Sequence, residues 1–162
     1  MQTANNITKQ HGFTLVEVMV ALVIFTISLL GLAGLQAAAL RDNHLANQNT
    51  IATQLAEDMA ERIRANPAGV NNGDYNAISS KPGAQDCYSS SCTSSQIAQM
   101  DAYQWFTAIQ NLLPSGTGTV TANGDQFVIT VMWDQERTGA TGTSCSGDHT
   151  TDLKCLTFTV RP

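Results

Sequence analysis

Residues 18–40 contain no charged side chain, and Glu17 stands at the head of that run. About 20 consecutive apolar residues are enough to cross a bilayer as a helix. A stretch of this length therefore commits most of the amino-terminal quarter of the chain to a helix in lipid or against other apolar helices. An acid at the edge of such a stretch is costly, and chains keep one where it has a use. Just before it the chain reads Gly12-Phe13-Thr14-Leu15-Val16-Glu17. The segment thus has three parts: a polar leader, a small residue at a possible cut, and a helix that begins apolar.

Three readings fit this segment. In the first it is a secretory signal peptide, with Lys9 as the basic region and Ala37-Ala38-Ala39 as the cleavage site. Such peptides carry an apolar region of about 7–15 residues, and neither the length here nor Glu17 suits that description. In the second it is an uncut single-span anchor. That leaves Glu17 without a role, and the orientation bias is weak because Lys9 on one side is matched by Arg41 on the other.

The third reading rests on residues 12–35, which resemble the prepilin processing site of type IV pilins and of type II secretion pseudopilins. The family pattern is Gly, then Phe or Met, a Thr-Leu-like stretch, and Glu as the fifth residue after the cut. Gly12, Phe13, Thr14, Leu15, Val16 and Glu17 supply it in order. The resemblance implies cleavage between Gly12 and Phe13 by a membrane aspartic peptidase, and N-methylation of Phe13. Glycine suits a protease because its backbone readily becomes extended and accessible. Cleavage would create an ammonium at Phe13, and Glu17, four residues on, would share its helix face. In a growing filament the same carboxylate could pair with the Phe13 ammonium of a neighbour. Because an unpaired charge in low dielectric is costly, Glu17 would then set the subunit stagger. Gly31 and Gly34 are either ordinary membrane-helix glycines or a soft point where the helix can part-melt during packing.

Beyond the leader and the apolar run, roughly 120 residues remain, enough for one small core. The formal charge of -5 argues against a nucleic-acid partner. Charged residues are only 13 % of the chain, while small polar residues are abundant, a composition suited to an outward-facing surface. Cys87, Cys92, Cys145 and Cys155 are even in number and lie in polar loops of an exported segment, which favours disulfides. Three pairings are open. The local one, Cys87 with Cys92 and Cys145 with Cys155, is the expectation, each bond closing a short loop worth about 2–3 kcal/mol.

The helix should continue past the apolar run. Leu45, Ala52, Leu55, Ala56, Met59, Ala60 and Ile63 form one amphipathic stripe, and Pro67 follows Asn66 as a stop. A helix over 13–66 would be roughly 80 Å long. Residues 67–94 read as an irregular connector, closed by a Cys87–Cys92 loop that is either a staple or a partner-contacting loop. A second helix is expected over 95–113, ended by Pro114, with Trp105 as a core anchor. Strands follow at 118–122, 126–133 and 154–161, with Asn123-Gly124 as the hairpin turn. Phe127, Ile129, Val131 and Trp133 should share one face, and Val128, Thr130 and Met132 the other. A Gly/Thr/Ser loop spans 138–151. The expected class is α+β: one long amino-terminal helix packed on a small antiparallel sheet of three or four strands, with a short second helix.

Asp101, Trp105, Ile109 and the Leu112-Leu113-Pro114-Ser115-Gly116 ending, together with the strand that ends at Trp133-Asp134, resemble the type IV pilus modification protein (PilV) family. That resemblance implies a pilin-like fold and a minor pilin, a structural and assembly subunit of the pilus. It divides the chain into a leader (1–12), a membrane or filament-core half-helix (13–40) and a head (41–162). The implied partners are other major and minor pilins, the prepilin peptidase and methyltransferase, the inner membrane and the pilus assembly platform. The implied place is the inner membrane, crossed once with the head in the periplasm, and then the extracellular pilus. A minor pseudopilin of type II secretion is the alternative, and an envelope-anchored enzyme or binding module with an uncut anchor is another of a different class.

No catalytic set emerges from the residues. His11 is in the leader, His44 follows the span, and His149 sits beside Asp148 in a polar loop. Cys145, Cys155 and one nearby histidine lack the spacing of a zinc site. No nucleophile–base order, phosphate loop or dinucleotide fingerprint is present, so neither an enzyme nor a cofactor is expected. The one reaction to attach to the chain is done to it, at Gly12.

Overall fold

A computed structural model describes residues 12–162. Residues 1–11, with Lys9 and His11, lie outside the described residues. The element order is α1 (Leu15–Ala65), α2 (Pro67–Asn72), β1 (Ala77–Ile78), α3 (Ser94–Leu112), β2 (Thr117–Asn123), β3 (Gln126–Trp133) and β4 (Lys154–Val160). The chain forms two compact units, one ending at Asn43 and one spanning His44–Pro162. The fold is the expected pilin-like α+β arrangement of a long first helix, a small antiparallel sheet and shorter helices.

In the unit that ends at Asn43, α1 offers no buried face. Its apolar side chains, from Leu15 to Leu40, are about half exposed or more. The helix is long and apolar enough to cross a membrane, and it runs unbroken through Gly31 and Gly34.

In the unit His44–Pro162, the same helix becomes amphipathic. Ala52, Leu55, Ala56, Met59, Ala60 and Ile63 are buried, as the stripe predicts, and Leu45 is half-buried. The six buried residues share one core with Trp105, Phe106 and Ile109 of α3 and with Val120, Phe127, Ile129, Val131, Trp133 and Val160 of the sheet. The sheet order is β1-β2-β3-β4, all antiparallel. Both tryptophans are fully buried, so each indole N–H needs an acceptor. Trp105 Nε1 donates to the Leu55 carbonyl at 2.8 Å, and Trp133 Nε1 donates to Gln48 Oε1 at 3.1 Å.

Four details differ from the sequence reading. Pro67 does end α1, since the residue before a proline is pushed out of the helical region. However, a new helix starts at once, because Asn66 caps it by accepting from the Gly69 amide (3.1 Å) and Pro67 takes the first helical position. The connector also contributes a fourth strand, the two-residue β1, too short to leave a hydrophobic pattern. The hairpin loop is Gly124–Asp125, one residue later than expected, because Asn123 still pairs with Gln126 and Gly124 takes the positive φ (63°). Finally, the polar loop after β3 does not simply connect strands. Ala140 and Leu153 fold back onto Met132 and Cys155 on the outer sheet face.

That loop is held by internal acceptors. The Asp134 carboxylate accepts from the amides of Thr138 (3.0 Å) and Gly139 (2.8 Å), and Asp152 accepts from the Ser146 amide (3.1 Å). The Cys145–Cys155 disulfide ties it to β4.

Gly118 allows α3 to approach the sheet. A Cβ there would lie 2.5 Å from Trp105 Cη2 and 2.9 Å from the Thr130 carbonyl oxygen, with Trp105 fully enclosed. Gly118→Val is therefore expected to lower the unfolding free energy by about 1–3 kcal/mol through overpacking. Denaturant unfolding of the detergent-solubilised chain, followed by tryptophan fluorescence, checks this.

Candidate functional site

The site suggested by the sequence is the start of α1. Thr14 is its cap: the Thr14 carbonyl accepts from the amides of Glu17 (3.1 Å) and Val18 (3.3 Å), and Thr14 Oγ1 accepts from the Glu17 amide (3.3 Å). Glu17 is consequently the third residue of the helix, within the first turn, where the exposed N–H groups favour a negative charge. The sequence reading missed Thr14, although Thr-x-x-Glu ahead of an apolar run is a helix-start signal. Phe13 and Glu17 line one shallow groove with Val18, Ala21, Leu22 and Phe25, so the carboxylate and the residue after the expected cut share a face. Phe13 is 81 % exposed. Gly12 has no positive φ and nothing near its absent Cβ, so local structure makes no demand for glycine there.

A second constellation, within the unit His44–Pro162, is buried and polar. Tyr75 is fully enclosed; its hydroxyl donates to Asp101 Oδ2 (2.6 Å) and accepts from Asn66 Nδ2 (3.1 Å). Arg62 donates through Nε to Asp58 (2.8 Å) and through one terminal nitrogen to Asp101 Oδ1 (3.1 Å) and Gln104 Oε1 (2.8 Å). Gln104 Nε2 donates in turn to the Tyr88 hydroxyl oxygen (2.9 Å). Asn66 Nδ2 also reaches the Ser94 carbonyl at 2.8 Å. One network thus ties α1, the cap of α2 and α3 to the loop carrying Tyr88. Burial, with the Asp101 bond, pushes the Tyr75 phenol up, so it stays protonated. Burial works against the Arg62 charge, but the bonds and charges of Asp58 and Asp101 outweigh it and hold the guanidinium above its usual range.

The sequence reading brought in Asp101 only through family resemblance. A signal was present: Ala98, Asp101, Ala102, Trp105 and Ile109 follow helical spacing, which places an acid inside an apolar stripe.

The four cysteines are brought together as Cys87–Cys92 and Cys145–Cys155. Asp86 organises the first loop, accepting from the Ser89 hydroxyl and from the amides of Tyr88 (2.9 Å) and Ser89 (3.3 Å). These bonds, the hydroxyl's foremost, hold its carboxyl below the usual range and keep it charged into mildly acidic solution. His44 Nε2 lies 2.9 Å from Gln48 Nε2, and His149 sits half-buried in the loop after β3.

Two family profiles match the chain. Residues 7–33 match the prokaryotic N-terminal methylation motif, and residues 34–103 match type IV pilin Tt1218. The chain is thus similar to the methylation motif at its start and to a type IV pilin over the stretch that follows. The first match contains Gly12, Phe13, Thr14 and Glu17; the second runs from within α1 through Asp101. Type IV pilins are structural subunits rather than enzymes. No curated protein and no solved structure gave a significant match.

The buried network should carry much of the pilin domain's stability. Asp101→Ala leaves the Tyr75 hydroxyl and part of the Arg62 guanidinium without their acceptor, an expected loss of about 3 kcal/mol. Asp101→Asn, which keeps an acceptor, should lose clearly less. Denaturant midpoints of the two variants compare them.

Proposed function

We propose that this chain is a minor pilin, a structural and assembly subunit of a type IV pilus. The observation that carries the reading is the start of α1. There an acid in the first turn shares a face with Phe13, at the head of a helix segment with no buried side, and a type IV pilin domain follows. A helix segment with all its apolar residues uncovered needs lipid or other helices around it, and a membrane followed by a filament core supplies the two in succession. On this reading 1–12 is a leader removed by prepilin peptidase, and the new Phe13 amine is methylated. Residues 13–40 then pass from the inner membrane into the filament core, while 41–162 form a periplasmic and later extracellular head. The partners are other pilins and the assembly platform. The minor role and the kinship with the modification protein family rest on the stretch from Asp101 to Gly116 and the Trp133-Asp134 strand end.

Glu17 sets subunit stagger by pairing with a neighbour's Phe13 ammonium. The capping geometry adds a second role within its own chain, because the same carboxylate supports the helix start, by about 0.3–1 kcal/mol in exposed settings. Its intersubunit role is the larger, since a buried charge that loses its partner costs about 2–5 kcal/mol.

Two measurements test this. Mass spectrometry of the cell-derived chain should find N-methyl-Phe13 at the amino terminus, and Gly12→Leu should leave the leader attached. A mature terminus after residue 39, or an intact Met1, would falsify the reading. Glu17→Val should be cleaved normally yet fall about tenfold or more in the sheared-filament fraction. Equal incorporation would remove the pairing role. Recovery with a secretion pseudopilus instead of surface pili would reassign the machine while keeping the processing chemistry.

A further inference from the structure

Among the described large apolar and aromatic side chains Tyr88 is the most exposed, at 83 %, and yet it is held at both ends. Its backbone lies in the Cys87–Cys92 loop, with its amide bonded to Asp86, and its hydroxyl oxygen accepts from Gln104. Gln104 is itself oriented. Its Oε1 accepts from Arg62, so its NH2 must face Tyr88, and the phenol proton is left to point elsewhere. A surface aromatic normally gives up side-chain freedom when it binds; here that freedom is already gone. Rigid tyrosines set among serines are an efficient form of contact surface, and Ser89, Ser90 and Ser91 complete this loop.

The charge around it has one sign. Asp86 is exposed and ionised beside Tyr88, and Arg62 behind Gln104 is already bonded to two carboxylates, Asp58 and Asp101. Residues 44–162 hold six Lys or Arg against eleven Asp or Glu, so the whole formal excess of -5 lies in this unit. On α3 the neighbouring Tyr103 carries the chain's own cation, Lys81 Nζ, 4.7 Å from its ring centroid. Among the described residues no cation covers the Tyr88 ring.

We propose that Tyr88 and Asp86 form a docking point for a basic side chain, arginine or lysine, presented by a partner protein. The cation lies on the ring face and the carboxylate serves as its counter-charge. The inference does not depend on which machine the subunit serves.

Titration of the full chain, in zwitterionic detergent at physiological ionic strength, with a fluorescent tetra-arginine amide tests it. Tyr88→Ala should weaken binding about 2–5-fold, the effect of one exposed cation–π contact, while Tyr88→Phe should fall between alanine and wild type, because the ring remains but the Gln104 bond that holds it is lost. Asp86→Asn should weaken it more than Asp148→Asn, which removes an equal charge from another loop. On the unaltered protein, a tetra-citrulline amide, similar in shape but neutral, should lose binding. Undiminished affinity in Tyr88→Ala, a phenylalanine variant as weak as alanine, equal effects at Asp86 and Asp148, or citrulline binding equal to arginine would each overturn the proposal.

Discussion

Two indole N–H groups fix residues 44–65 of α1 within the unit His44–Pro162. One comes from α3 and bonds the Leu55 carbonyl; the other comes from β3 and bonds the Gln48 side chain. Apolar burial is non-directional and would tolerate small rotations of the helix. Buried donors are directional, and leaving one unpaired costs a substantial part of the domain's stability. The acceptors sit seven residues apart, two turns along one face of α1. A donor from α3 and a donor from the sheet therefore select one rotational setting of α1 within this unit. Gln48 passes the constraint on: because its oxygen faces an indole, its NH2 faces His44.

The Arg62–Asp101–Tyr75–Asn66 network adds specificity of another kind. Alone, a buried charge pair is weak evidence of stability, since desolvation offsets much of the attraction. Here Asp101 is bonded by both Arg62 and Tyr75, Tyr75 also by Asn66, and the outer members have further partners: Asp58 and Gln104 for Arg62, Gly69 and Ser94 for Asn66. The network begins where the connector leaves α1, so it orders a polar segment with little apolar surface of its own. Through Gln104 it also reaches the surface and immobilises Tyr88. Core order and surface presentation are thus linked by side-chain amides and not by packing alone.

One helix serves two environments. Before Asn43 its apolar residues face outward, and beyond His44 a narrow stripe faces a core. Stability is accordingly concentrated in residues 44–162, while the residues suited to membrane and filament contacts lie before them. Substitutions in the first group act on folding, and those in the second on what the helix joins.

Much of this was legible because it depends on local chemistry. The apolar run, the stripe from Ala52 to Ile63, the alternation of Phe127 to Trp133 and the stop at Pro67 are periodicity and backbone effects, read directly from residue order. Gly12, Phe13 and Glu17 were legible as a motif, and Thr14 was available by the same logic. Other features required distant residues to meet. Nothing near Gln48 says that a tryptophan 85 positions later will need its oxygen. Nothing in 67–94 announces a two-residue strand whose partner is Val120-Thr121. Nor does a run of Gly, Thr and Ser reveal that it folds over Met132. By itself the sequence determined the helix, its two kinds of face and the amino-terminal methylation motif, since these follow from spacing along one chain. Only the tertiary structure decided where the buried polar groups find partners and how Tyr88 is held, because hydrogen-bond complementarity between remote segments leaves no periodic trace.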